Sequence, residues 1–182
     1  MAKPKVAVVK AEGVKGNAEF MGGKFVRYAE DVAAIRAAVK KAVELSIGSL
    51  DAIIKPGDRV LIKPNLAFQA PPESFAVVDP RTVEAVTAYV KEDSKAGEVW
   101  VGDNPSLGKH VGKAKPAFQV SGMEEAAWRG GADKVIYFDE TATVVVDIPE
   151  AKVFKRAEVF RPFLEADVVI NLPKMKVHLA GT

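Results

Sequence analysis

The stretch Arg59-Val60-Leu61-Ile62-Lys63-Pro64-Asn65 decides the fold. Its centre is a short, unbroken apolar run, and it stops abruptly at a lysine, a proline and an amide. A strand with one face in water alternates in polarity, whereas a strand covered on both faces is apolar throughout. Proline cannot continue a central ladder, so Pro64 must turn the chain out of the sheet. The segment therefore reads as a central strand with a polar carboxyl end.

Working outward, similar runs recur at residues 6–9, 98–101, 134–138, 143–147 and 167–170. Helical patterns lie between them. In residues 31–46, Val32, Ile35, Val39 and Val43 follow the three-and-four spacing of a helix face, with Asp31 as the expected cap and Gly48 just past the end. Asp79-Pro80 opens a second helix, with Val83, Val86 and Val90 as its buried stripe. A third is expected at 122–129, stopped by Gly130-Gly131, and a short one at 161–165. Strands alternating with helices predict a Rossmann-like three-layer α/β fold, its sheet mainly parallel. The close spacing of 134–138 and 143–147 suits a hairpin, which would make the sheet mixed at one edge. Residues 12–28, 67–78 and 105–118 read as long loops, and such loops carry function more often than chance requires.

Composition removes several function classes. The chain has 182 residues, 48% of them apolar, which suits one domain with a real core and excludes disorder. Its 26 basic and 24 acidic residues nearly cancel, so no general attraction to nucleic acid or membrane is expected. There is no cysteine, hence no disulfide and no iron–sulfur cluster ligated within the chain. The apolar run near Met1 is too short for a secretory leader, and no run approaches a membrane span, so a cytoplasmic location is expected.

Three strands end alike. Ile62 leads into Lys63-Pro64-Asn65, Val101 into Gly102-Asp103-Asn104-Pro105, and Ile170 into Asn171-Leu172-Pro173-Lys174. In open α/β sheets ligands bind outside these carboxyl ends. The rim they form offers Lys63, Lys174 and Lys176 as cations and Asn65, Asn104 and Asn171 as amides, a set suited to a carboxylate or phosphate group. Asp103 and His178 are the candidates for moving a proton. Each has a plainer alternative. Lone lysines at strand ends are mostly solvated, and asparagine side chains often hold turns. Asp103-Asn104-Pro105 also reads as an Asx turn. His110 and His178 are too far apart in sequence to argue for a metal, and none is expected.

These motifs resemble the domain of unknown function 362 family. Pro56-Gly57-Asp58-Arg59-Val60-Leu61-Ile62-Lys63-Pro64-Asn65 is similar to its opening signature. The run Asn171-Leu172-Pro173-Lys174-Met175-Lys176-Val177-His178 is similar to its most specific motif. The resemblance implies a longer domain of which residues 1–182 are a fragment, and an association with ferredoxin-like [4Fe-4S] modules outside this chain. The expected function is binding of an anionic small molecule at the rim, and the resemblance adds the option of an enzyme linked to such redox chemistry through a module outside this chain. The alternative is a non-catalytic binding or assembly module completed by a partner, such as a ferredoxin-like module or a missing carboxyl-terminal half.

Overall fold

A computed structural model describes residues 5–14, 16, 19–21, 24–26, 28–105 and 113–176. Two short strands, β1 (Glu19–Met21) and β2 (Lys24–Val26), pair antiparallel ahead of helix α1 (Ala29–Ile47). There follow β3 (Arg59–Pro64), α2 (Pro80–Asp93), β4 (Glu98–Asp103), α3 (Ala114–Val120), α4 (Met123–Arg129) and β5 (Lys134–Tyr137). The last described elements are β6 (Thr143–Asp147), β7 (Arg156–Phe160), α5 (Arg161–Glu165) and β8 (Val168–Leu172).

The main sheet has the order β5-β4-β3-β8, and every pairing in it is parallel. It is the expected Rossmann-like sheet. Alternation along its strands feeds two cores. Val60, Ile62, Val99 and Val101 pack with Val83, Val86 and Val90 of α2 and with Phe118 and Met123 beside them. Leu61, Trp100 and Phe138 face the other way, against Phe160 and Phe163. Helices α1 to α4 thus sit on the first side. The second side carries the β6–β7 ribbon and α5.

Local signals explain two of the helix ends. The Asp79 side chain accepts from the Arg81 N–H at the start of α2. Gly48 ends α1 at φ 88°, a conformation that costs glycine little.

Five expectations change. Residues 6–9 form no strand: Val6 and Val8 stand 85% and 92% exposed, while Ala7 and Val9 line a cleft against α1. A β-branched run becomes a strand only with a neighbour to share its ladder. Helix α1 starts before Asp31, so Tyr28 holds the cap position and Asp31 lies in the first turn. The 12–28 loop contains the β1–β2 hairpin, and the 105–118 loop gives way to α3 at Ala114. Finally, 134–138 and 143–147 do not pair. A 3-10 turn at Phe138–Glu140 redirects the chain, and β6 pairs antiparallel with β7 as a separate ribbon.

Candidate functional site at the strand ends

In chain order the four strands of the sheet lie 3-2-1-4. The direction of winding therefore reverses between β3 and β8, which is where open α/β sheets hold ligands. Register places Lys63 beside Asn171 and Pro64 beside Leu172. Paired residues of parallel strands project to the same side, so Lys63 and Asn171 are neighbours on the second face. The ladder runs one residue further, where the Asn65 N–H donates to the Leu172 carbonyl at 3.0 Å. The Asn65 carbonyl in turn accepts from the Val78 N–H at 3.0 Å, closing the loop between them.

Lys63 reaches over the strand ends to Asp103, with Nζ 3.0 Å from Oδ1. The other Asp103 oxygen accepts from the Leu66 N–H at 3.0 Å, and the Asn104 N–H adds a further bond. Asp103 is buried, at 4% exposure. Burial pushes its carboxyl above the usual range, against the opposing pull of Lys63 and the backbone donors. Gly102 makes the neighbouring packing possible, because a Cβ there would lie 2.7 Å from the Phe138 ring.

Lys174 and Lys176 form a second group. The Lys174 ammonium lies 5.6 Å from the centre of the Phe75 ring, and Lys176 donates to the Ala76 carbonyl at 3.0 Å. Both hold the loop that leaves β3. Asn171 is exposed, while Asn65 and Asn104 are half-buried. The Asn104 amide sits 3.4 Å from the Pro105 carbonyl, a long contact typical of a turn. His178, His110 and Ser106 lie outside the described residues.

Two features had no sequence signal. Phe75 adopts the left-handed conformation at φ 58°, which costs a bulky residue about 1–2 kcal/mol. Arg81 is buried and fully engaged. It donates to both Asp79 oxygens at 3.0 and 2.7 Å, to Asp31 at 2.5 Å and to the Gly16 carbonyl at 2.6 Å. This network ties α1 to the start of α2, beside a cleft of about 480 Å³. Among the described residues, no three histidine, aspartate or glutamate side chains gather to hold a metal.

The family model for Domain of unknown function (DUF362) matches residues 60–182, which include every residue of the rim. The chain belongs to the DUF362 family. A relative of this DUF362 chain is the Thylakoid-associated protein sll1697 of Synechocystis sp., 33% identical over 137 residues. That match takes in 72% of this chain and 38% of the relative, so the chain spans well under half of the relative's length. No solved structure matches it. Among the described residues, no helix of this DUF362 chain is long and apolar enough to cross a membrane.

Proposed function

We propose that this DUF362 chain binds an anionic small molecule at the carboxyl ends of β3, β4 and β8. The observation that carries the reading is the register that sets Lys63 beside exposed Asn171 at the reversal of the sheet. Lys63 supplies charge and is held in place by Asp103. Asn171, Asn65 and Asn104 orient the anion, and Lys174 and Lys176 add cations on the side of the loop. With both oxygens of Asp103 engaged, its first role is to position Lys63, and His178 is the proton-transfer candidate. The chain has no cysteine and does not fit an iron–sulfur cluster. A redox role would therefore draw on a ferredoxin-like module elsewhere. A cytoplasmic location accompanies this reading. The name of the thylakoid-associated relative makes membrane association the alternative, and cell fractionation decides between them.

Thermal unfolding with inorganic phosphate, pyrophosphate and citrate tests the binding. The wild-type midpoint should rise, while Lys174→Ala and Asn171→Ala should remove that rise and leave the midpoint of the free protein in place. If both variants simply unfold, the motif is structural and the reading fails.

A second reading is an assembly module. Among the described residues nothing pairs with the outer side of β8, whose Val169 is 43% exposed. An apolar cleft of about 270 Å³ separates β8 from α1 and α2, lined by Val39, Val43, Ile170 and Leu172. A further strand added there would complete the sheet. Protein that binds none of the three anions and associates through this edge would favour this reading.

A further inference from the structure

The loop leaving β3 carries a bulky residue in a conformation that side chains avoid. Phe75 follows the 3-10 turn Pro72–Ser74, and its N–H donates to the Pro72 carbonyl at 3.2 Å. Glycine or asparagine would take φ 58° more readily. Packing offers the ring little in return, because Phe75 is 60% exposed. A scattered exposed apolar residue needs no explanation. This one is different, because it is strained and because the lysines of the Asn171-Leu172-Pro173-Lys174-Met175-Lys176 run hold it at the rim. The Lys174 ammonium lies 5.6 Å from the ring centre, and Lys176 holds the next carbonyl, that of Ala76. The loop is closed at its far end by the bond from Val78 to Asn65.

The Lys174 ammonium lies over the ring, and the exposed part of an aromatic ring suits a second flat ring stacked on it. We propose that Phe75 is a stacking platform, and that the anion bound at the rim belongs to a molecule with a flat aromatic ring, such as a nucleotide. This rests on the anion-binding reading above. Lys63, Asn171 and Lys174 take the charged group, and Phe75 takes the ring.

Titration calorimetry with adenosine 5′-monophosphate, ribose 5-phosphate and inorganic phosphate tests the idea. The nucleotide should bind about tenfold more tightly than ribose 5-phosphate, the gain of a single stacked base. Phe75→Leu should remove that preference and leave the ribose 5-phosphate affinity within about twofold, and Phe75→Tyr should restore the preference. Equal affinities in the wild type, or a preference that survives Phe75→Leu, would overturn the platform and leave anion binding standing. If none of the three probes binds, the anion reading falls and the platform falls with it.

Discussion

Lys63 and Asp103 come from neighbouring parallel strands and meet over their carboxyl ends, with Nζ 3.0 Å from Oδ1. The carboxylate is the buried partner and the ammonium the more exposed one, with side-chain exposures of 6% and 30%. The pair therefore holds a lysine at the surface by an anchor beneath it.

That asymmetry sets a pH dependence. Burial raises the pKa of Asp103, so the folded chain holds its proton more tightly than the unfolded chain does. Its contribution to stability is present below the unfolded value and lost as pH rises through the folded value. Lys63→Met removes the opposing cation and should extend that loss to higher pH. Thermal midpoints measured from about pH 4 to about pH 8 check this. Superimposable wild-type and variant profiles would refute the anchor. Asp93 acts in the opposite direction: Arg36 and then Lys40 lower it, so its contribution is lost as pH falls.

Arg81→Ala should be among the most damaging single changes. It would strand Asp79 and Asp31 without their shared guanidinium, a loss of about 3–5 kcal/mol. The midpoint should drop by on the order of 10 °C. Arg81→Lys should recover only part, since one ammonium cannot serve Asp79, Asp31 and the Gly16 carbonyl together. Full recovery by lysine in calorimetry would show that the fork geometry is unimportant.

Gly102→Ala should destabilise by about 1–3 kcal/mol, because the added methyl meets the Phe138 ring and, at 2.9 Å, the Ile136 carbonyl. A joint change, Gly102→Ala with Phe138→Leu, should cost less than the sum of the two single changes. Additive costs in denaturant titrations would argue against direct contact.

Pro116 is the third residue of α3, where its missing N–H would have had no helical partner. Pro116→Ala should therefore cost no more than about 1 kcal/mol, through the freedom it gives the unfolded chain. A loss near 3 kcal/mol would mean that proline stabilises the native helix in some other way.

The same proline shows where reading from sequence stops. Residues 105–118 read as a loop, and only the position of Pro116 within a first turn separates a loop from a helix there. The central strands were legible because burial on both faces leaves an unbroken apolar run, as in Val60-Leu61-Ile62 and Val99-Trp100-Val101. Residues 6–9 look the same locally, but among the described residues no neighbouring strand shares their ladder. Strand β7 hid because Arg156, Ala157 and Glu158 alternate without a strong apolar signal. At the rim, the residue types were readable and their division was not. Which lysine meets Asp103 and which lysines hold the loop depend on register and loop path, which no local pattern encodes. Phe75 was invisible, because nothing in its chemistry announces a left-handed backbone.

Arg59 and Asp167 are 108 positions apart, yet the Arg59 N–H donates to the Asp167 carboxylate at 2.8 Å where β3 and β8 begin. Pairings of such long range are slow to form, because a long loop must close before any contact rewards it. Lys63 waits for Asn171 through the synthesis of the intervening helices and strands. The growing polypeptide therefore has no paired β3–β8 strand ends until Asn171 has been made, and this edge of the sheet closes after the pairing of β3 with β4 becomes possible.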